Sequence, residues 1–209
     1  MYKITLLRHA ESEGNVTNKP QGHSDLPLTE LGQRQVQALA ERWKREGRQF
    51  DQALSSPLRR AKDTAEILGK TLGMEIEYEA MWIERDVGQM SELDNHVIDE
   101  HYANPRSESP YHDAFGLGGE GQWQIYLRAG QALQNLLGRP EGNYLVVSHG
   151  GLLNAVLYSI LGLSPQRFGS GPGFPFGNTS FADLSYLPHR HKWNLERFND
   201  DRHLDGLNG

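Results

Sequence analysis

The sequence contains no cysteine, and this absence excludes several kinds of chemistry at once. The chain can form no disulfide, offers no thiolate nucleophile and has no cysteine ligands for a metal. Covalent catalysis would therefore need another nucleophile, such as one of the 9 histidines. The absence of cysteine does not by itself identify a reducing compartment.

Long hydrophobic runs and an excess of basic residues are also missing. No apolar run approaches the ~18 residues of a membrane helix, and the chain opens on a strand pattern instead of a signal peptide. The formal net charge of -6 argues against nucleic acid as the main partner. We therefore expect a cytoplasmic protein with neither a nucleic-acid nor a membrane partner, in which local cations attract any anionic substrate.

Strand and helix patterns alternate along most of the 209 residues. Short apolar or alternating runs predict strands at residues 2–7, 50–55, 75–78 and 144–148, and a C-terminal hairpin in which a strand after residue 180 pairs with residues 193–198. Apolar periodicity predicts helices after Thr29, after Ser56 and over residues 122–137 and 152–161. This alternation predicts an α/β fold: a three-layer α/β/α sandwich with a mostly parallel central sheet and an antiparallel edge strand.

Two segments fit the alternation less well, although residues 1–209 are predicted to form a single domain. Residues 91–120 contain proline, a glycine cluster and a short helical pattern near residues 93–102. They are too short to bury a core of their own, so we interpret them as an inserted cap. Residues 199–209 are predicted to form a loose tail.

The clearest chemical signals lie where two buried strands end. The first strand leads into Arg8 and His9, and the strand at residues 144–148 leads into His149. Because the carboxyl ends of parallel strands meet at one rim of a sheet, these side chains can share a pocket. A neutral imidazole can attack an electrophile and a guanidinium can bind an oxyanion, so the pattern indicates phosphoryl chemistry.

A further cation is predicted at the start of the helix that follows the second strand. Ser56 suits the N-cap and Pro57 the first helical position, which places Arg59 in the first turn. A helix N-terminus offers backbone N–H groups and partial positive charge, so a cation there adds to an anion site. The alternative for Arg59 is a surface salt bridge, and the alternative for His9 or His149 is a structural histidine.

Five motifs in one order resemble those of the histidine phosphatase superfamily, which includes cofactor-dependent phosphoglycerate mutases and many phosphomonoesterases. The matching segments are Leu7-Arg8-His9-Ala10-Glu11-Ser12 with Asn15, Leu28-Thr29-x-x-Gly32, Ser55-Ser56-Pro57-Leu58-Arg59-Arg60-Ala61 with Thr64-Ala65, Glu84-x-x-x-Gly88, and Val147-Ser148-His149-Gly150-Gly151. Each motif alone is modest, but together they span most of the chain.

The resemblance implies roles for the residues at the strand ends. His9 matches the nucleophile that attacks phosphorus and forms a phosphohistidine. Arg8, Arg59 and His149 match the groups that hold the non-bridging oxygens and stabilise their charge. Two arginines and two histidines also remove the need for a metal to neutralise the phosphate, so we expect no metal and no other cofactor.

The resemblance also implies a general acid and a further phosphate contact. Glu84 matches the acid that protonates the leaving alkoxide and then activates water, with Asp86 as the alternative. Asn15 matches a phosphate-contacting position. The plainer interpretations are a solvated loop carboxylate for Glu84 and a turn-capping amide for Asn15.

Departures from the family pattern bear on the activity. Gly14 stands where mutases typically carry tryptophan, residues 91–120 make a shorter insert than the mutase one, and Gly121 replaces a serine that the family often has. The first two differences favour a metal-independent phosphomonoesterase acting on a small phosphorylated metabolite. The alternatives are a cofactor-dependent phosphoglycerate mutase and a non-catalytic phosphate-binding regulatory module, and a homodimer is one option for the oligomeric state.

Overall fold

A six-stranded sheet forms the centre of the computed structural model, which describes residues 1–91, 93–94, 97, 111, 118–167 and 170–207. The strands are β1 (Tyr2–Arg8), β2 (Gln52–Ser55), β3 (Ile76–Tyr78), β4 (Asn143–Ser148), β5 (Phe181–Leu187) and β6 (Lys192–Asp200). Their order in the sheet is β3-β2-β4-β1-β5-β6.

The sheet is parallel except at one edge. β3 and β4 both run parallel to β2, and β4 runs parallel to β1. β5 is antiparallel to β1 and to β6. This arrangement confirms the predicted mostly parallel sheet with an antiparallel edge. In β1 and β4, Arg8 pairs with Ser148, so the next residues, His9 and His149, leave the sheet at the same rim.

Helices cover both faces of the sheet. They are α1 (Glu13–Val16), α2 (Glu30–Arg45), α3 (Arg59–Leu72), α4 (Gln122–Leu137) and α5 (Gly150–Ile160). Tyr144 and Val146 of β4 belong to a core with α4 and α5, whereas Leu145 and Val147 belong to a second core with α2 and α3. Successive strand residues point to opposite faces, so this division confirms the three predicted layers. Within the described ranges, no helix combines the length and apolar character needed to cross a bilayer.

The helix after β2 begins later than its sequence suggests. Thr29 caps α2 as predicted, accepting a hydrogen bond from the Gly32 N–H, but Ser56 does not cap α3. Leu58 is the N-cap of α3, with extended backbone angles. The Ser56 hydroxyl lies 2.8 Å from Nε2 of His149, and this contact holds residue 56 in the loop before the helix.

The C-terminal segment is ordered through residue 204, so the predicted loose tail is wrong over residues 199–204. β6 continues to Asp200, and a single 3₁₀ turn follows at Arg202–Leu204. The Asp200 carboxylate is buried and accepts hydrogen bonds from Arg42 of α2. A buried carboxylate must be paired, and this pairing anchors the segment. Most of the predicted cap helix lies outside the described residues.

Candidate active site

His9 and His149 meet at the rim where β1 and β4 end. Their ring centroids are 5.0 Å apart, and both side chains are buried. A cavity of about 580 Å³ opens beside His9, and Arg8, His9 and Glu84 are among the residues that line it. The structure therefore brings together the two histidines that the sequence separates by 140 positions (149 minus 9).

The hydrogen bonds of His9 define which ring nitrogen can react. Nδ1 lies 2.7 Å from the carbonyl oxygen of Ala10. Because a carbonyl can only accept, Nδ1 carries the proton, and Nε2 of the neutral ring carries a lone pair. Burial and the neighbouring cations Arg60 and Arg8 hold the His9 pKa well below its ordinary value. His9 is thus a neutral imidazole near pH 7 with a nucleophilic Nε2.

Arg60, and not Arg59, is the second arginine of the site. The Arg60 side chain is only 1% exposed, and its Nε lies 3.3 Å from Nε2 of His9. Its other two nitrogens donate to the carbonyls of Ser24 and Gly22, each at 2.8 Å. The Arg59 side chain is 53% exposed and faces Asp63 at 3.7 Å. The prediction for Arg59 is therefore wrong, and the surface salt bridge is what the structure shows.

The periodicity of α3 contains the signal that identifies Arg60. Residues 60, 61, 64, 65 and 68 are the buried ones on this helix, with Gly69. Arg60 thus shares the sheet-facing stripe with Thr64, four residues later, whereas Arg59 shares the outer stripe with Asp63. Capping residues locate a helix along the chain, but only the apolar phase identifies the face of each arginine.

Arg8 is a half-buried cation with an open hydrogen-bonding position. Its Nη1 donates to the carbonyl of Phe176 at 2.6 Å, while its Nε has no partner among the described residues. Burial lowers the pKa of Arg8, and burial likewise lowers the pKa of Arg60 to about 10, against the opposing effect of Glu84. Both guanidinium groups remain protonated near neutrality. A buried and a half-buried cation, both held by neutral carbonyls, form a site suited to an anion.

His149 stands at the N-cap of α5, next to the His9 ring. Nε2 of His149 contacts the Ser56 hydroxyl, and its Nδ1 has no hydrogen-bond partner in the described part of the chain. Burial is the largest cause of the strong lowering of the His149 pKa, followed by Arg60, His9 and Arg8. A buried ring nitrogen without a partner is costly. In the neutral tautomer that carries its proton on Nδ1, the His149 ring can donate a hydrogen bond to an oxygen of a bound anion.

Glu84 lies at the N-terminus of the same helix. Its carboxylate accepts hydrogen bonds from the backbone N–H groups of Gly151 at 3.1 Å, Leu152 at 3.0 Å and Arg85 at 2.8 Å. Glu84 lines the cavity, whereas Asp86 does not and accepts from the Gly88 N–H instead. Of the two candidate acids, the placement favours Glu84.

Gly151 makes this position of Glu84 possible. A Cβ at residue 151 would lie 2.6 Å from Oε1 of Glu84, closer than two such atoms can approach. Glycine is therefore required for the carboxylate to sit against the first turn of α5.

Asn15 of α1, the short helix that follows β1, also lines the cavity. Its Oδ1 accepts from the backbone N–H of Ser12 at 3.0 Å, the hydroxyl of Ser12 at 2.9 Å and Nδ2 of Asn178 at 3.2 Å. With Oδ1 fully occupied, the Asn15 amide has one orientation, and its Nδ2 is the group left to meet a ligand. No sequence pattern pointed to Asn178.

The cavity is larger than a phosphate ion and extends toward mixed polar and apolar side chains. Its outer lining includes Arg85, Tyr126, Asn154, Tyr158 and Gln166. In the described ranges, no group of three or more His, Asp or Glu side chains is arranged to hold a metal ion. Because the lining offers both polar and apolar side chains, it can contact an organic group attached to the phosphate.

The sequence and structure both have close relatives among known proteins. The family profile of the histidine phosphatase superfamily (branch 1) matches residues 4–201. A probable phosphoglycerate mutase of Salmonella paratyphi A is 30% identical over 211 aligned positions, which cover 98% of this chain and 96% of the relative.

Two solved phosphatases share the fold over almost their entire length. A mycobacterial glucosyl-3-phosphoglycerate phosphatase in complex with VO3 has a TM-score of 0.80 and 28% identity, covering 95% of this chain and 99% of that one. A phosphoserine phosphatase from Entamoeba histolytica in complex with 3-phosphoglyceric acid has a TM-score of 0.82 and 25% identity, covering 98% and 100%. The enzyme assignment that the motifs predict is confirmed, and the chain belongs to the histidine phosphatase superfamily.

Proposed function

We propose that this protein is a metal-independent phosphomonoesterase that hydrolyses a small phosphorylated metabolite through a phosphohistidine on His9. The observation that carries the proposal is the Nε2 lone pair of a neutral, buried His9 beside the guanidinium groups of Arg8 and Arg60. A neutral nucleophile next to two fixed cations attracts a phosphate group and attacks its phosphorus.

The first half of the reaction transfers the phosphoryl group to His9. Nε2 forms a bond to phosphorus while the bond from phosphorus to the ester oxygen breaks. Glu84, when protonated, gives its proton to the departing alkoxide, which leaves as the alcohol. In the second half the Glu84 carboxylate takes a proton from water, the water oxygen attacks phosphorus, and the bond to Nε2 breaks to release inorganic phosphate.

Arg8, Arg60 and His149 stabilise the charge on the three non-bridging oxygens during both halves. Each such donor in a water-poor site is worth ~3 kcal/mol in the transition state. Arg60 Nε already donates toward Nε2 of His9, so an arriving phosphoryl group would take over that donor as it approaches the nucleophile. Asn15 adds a neutral donor from α1.

The named activities of the relatives support a small phosphomonoester as substrate, and they also leave the mutase as an alternative activity. Two structural neighbours are phosphatases, of glucosyl-3-phosphoglycerate and phosphoserine. The Salmonella relative carries the name of a probable phosphoglycerate mutase. A mutase uses the same phosphohistidine but returns the phosphoryl group to a second hydroxyl, so the fate of the phosphoenzyme separates the two activities.

The proposal includes the setting in which the enzyme acts. We infer a cytoplasmic enzyme whose partner is a small phosphomonoester, with no nucleic-acid or membrane partner. Its support is the acidic net charge of -6, which offers no extended cationic surface to a polyanion.

His9→Ala tests the proposal directly. In buffer with a chelator, the variant is expected to lose hydrolysis of p-nitrophenyl phosphate because the only proposed nucleophile is removed. His189→Ala is the matched control, since His189 is exposed in the turn between β5 and β6. Turnover by His9→Ala at the wild-type rate would defeat the mechanism.

Trapping the intermediate separates the alternative functions. The wild type is expected to form an acid-labile, base-stable phosphoenzyme that His9→Ala does not form, and water is expected to discharge it. Discharge mainly to 3-phosphoglycerate, dependent on a bisphosphate primer, would establish a mutase. Tight binding of phosphate with no phosphoenzyme would identify a non-catalytic binding module.

A further inference from the structure

The segment of residues 176–180, which lies just before β5, makes hydrogen bonds to Arg8 and His9. The carbonyl of Phe176 accepts from Nη1 of Arg8 at 2.6 Å, and the carbonyl of Ser180 accepts from the Arg8 backbone N–H at 3.1 Å. The backbone N–H of Thr179 donates to the His9 carbonyl at 3.3 Å. This segment therefore contacts two of the residues to which the proposed mechanism assigns chemistry.

Asn178 is the side chain at the centre of these contacts. Its Nδ2 donates both to the His9 carbonyl at 3.1 Å and to Oδ1 of Asn15 at 3.2 Å. One amide thus joins the backbone of the nucleophile to the amide that lines the cavity. The bond to Oδ1 also opposes a flip of the Asn15 amide, because a flip would bring two NH₂ groups together.

Thr179 holds Asn178 in place at a cost in backbone strain. Thr179 has a φ of 55°, in the left-handed region that a β-branched residue rarely adopts. Such a conformation is strained and persists only where its surroundings impose it. The Thr179 hydroxyl donates to the Asn178 carbonyl at 2.7 Å, which ties the two residues together.

His203, in the segment after β6, completes this support. Its Nε2 lies 2.8 Å from the Thr179 hydroxyl oxygen. Because the single hydroxyl proton of Thr179 is already donated to Asn178, His203 must be the donor here. His203 is buried, and burial lowers its pKa to about 4, so the ring is neutral and keeps one tautomer near pH 7.

We propose that Asn178 is a positioning residue of the active site, orienting the Asn15 amide so that its Nδ2 meets a phosphoryl oxygen, with Thr179 and His203 as its support. This inference rests on the proposed function, because it assigns Asn15 to the phosphoryl group. Asn178 acts through Asn15 and needs no contact with the substrate.

A double-mutant cycle distinguishes positioning from general support. Asn178→Ala and Asn15→Ala are each expected to lower kcat/KM for p-nitrophenyl phosphate about 10-fold, the scale of one lost hydrogen bond. If Asn178 acts through Asn15, the double variant loses about 10- to 20-fold and not 100-fold. Asn194→Ala is the matched control, because the Asn194 amide bonds Ser185 on the β5–β6 hairpin away from the site. Its kcat/KM is expected to equal that of the wild type.

The affinity for inorganic phosphate, measured by calorimetry on the same four proteins of the cycle, provides a second readout. Asn178→Ala is expected to weaken phosphate binding several-fold in the wild-type background and little in Asn15→Ala. Additive losses in both measurements, or an Asn178→Ala enzyme within 2-fold of the wild type, would overturn the role of Asn178. Asn178→Asp, which keeps the shape but loses the donor, replaces Asn178→Ala if that variant does not fold, with the same criteria.

The two readouts separate this inference from the proposed function. A wild type that binds phosphate without His9-dependent turnover refutes the phosphatase mechanism, and the binding cycle then still decides the role of Asn178. A wild type that binds no phosphate at all overturns both.

Discussion

Two clusters of arginines lie in this molecule, and they are built in opposite ways. At the rim of the sheet, Arg8 and Arg60 donate to the neutral carbonyls of Phe176, Ser24 and Gly22. In the C-terminal cluster, Asp200 accepts from Arg42, Arg197 and Arg202, with oxygen-to-nitrogen distances from 2.6 Å to 3.2 Å.

The difference appears in the protonation energetics of the two clusters. Burial lowers the pKa of Arg8 and Arg60, because it removes water from their charged form and this outweighs the opposing effect of Glu84. The Asp200 carboxylate raises the pKa of Arg42, and its arginines hold the Asp200 pKa far below its usual range. The comparison teaches that arginines paired with a carboxylate stabilise the fold, whereas arginines held by neutral carbonyls remain available to an anionic ligand.

The largest expected effect comes from removing one cation of the unpaired cluster. Arg60→Ala is expected to lower kcat/KM for p-nitrophenyl phosphate by about 10²–10³-fold, because a preorganised donor to the transition state is lost. Steady-state kinetics with purified protein measures it.

Arg59→Ala is the matched control, one residue away on the exposed side of α3. The Arg59 side chain is exposed and faces Asp63 at 3.7 Å, so the change is expected to leave kcat/KM within 2-fold of wild type. Equal losses in the two variants would show that the active-site cations were wrongly assigned.

The second prediction breaks the paired cluster. Asp200→Asn is expected to lower the free energy of unfolding by about 3 kcal/mol, because three guanidinium groups lose their buried counter-charge. Urea denaturation provides the measurement. Asp63→Asn, which alters an exposed pair, is expected to cost no more than ~0.5 kcal/mol.

The pH dependence of the Asp200 effect has a definite sign. The folded-state pKa of Asp200 is lowered, so its contribution is present above the unfolded value of about 3.9 and is lost as the pH falls toward the folded value. The stability difference between wild type and Asp200→Asn is therefore expected to be full near pH 7 and to shrink below about pH 4. A difference that grew on acidification would contradict the pairing.

The smallest predicted effect concerns the acid that faces the unpaired cations. Gly151→Ala places a methyl group 2.6 Å from Oε1 of Glu84, and the flexible carboxylate is expected to move away. We expect kcat to fall about 10-fold for a substrate with a poor leaving group and less for p-nitrophenyl phosphate, whose leaving group needs little protonation.

Gly150→Ala is the neighbouring control for this change. A Cβ at residue 150 finds its nearest atom, Nε of Arg8, at an ordinary 3.7 Å. A smaller effect than that of Gly151→Ala is therefore expected. If the two variants lose activity equally for both substrates, Glu84 is not the group that protonates the leaving oxygen.

Much of the architecture was predictable because it follows from local patterns. Apolar runs ending in Arg8 with His9 and in His149 predicted the strand ends, and the register of β1 with β4 brings those ends together. The choice between Arg59 and Arg60 was also present in the sequence. It follows from the helical phase of residues 60, 64 and 68, and capping residues alone could not reveal it.

Other parts of the site could not be predicted because they depend on contacts between distant segments. Two backbone N–H groups of α5 hold the Glu84 carboxylate. They belong to Gly151 and Leu152, which lie 67 and 68 positions further along the chain. Asn178 reaches His9 across 169 positions, and nothing in its neighbourhood of glycine, threonine and serine distinguishes it from a turn residue.

The sequence by itself determined the layers of the fold, the strand ends that carry the histidines and the family to which the chain belongs, since periodicity and short motifs are local properties. Only the tertiary structure decided that Glu84 lines the cavity where Asp86 does not, that residues 199–204 pack against α2, and that Asn178 joins His9 to Asn15. These contacts depend on how separate elements meet in space, where burial and hydrogen bonding select one arrangement that no local pattern records.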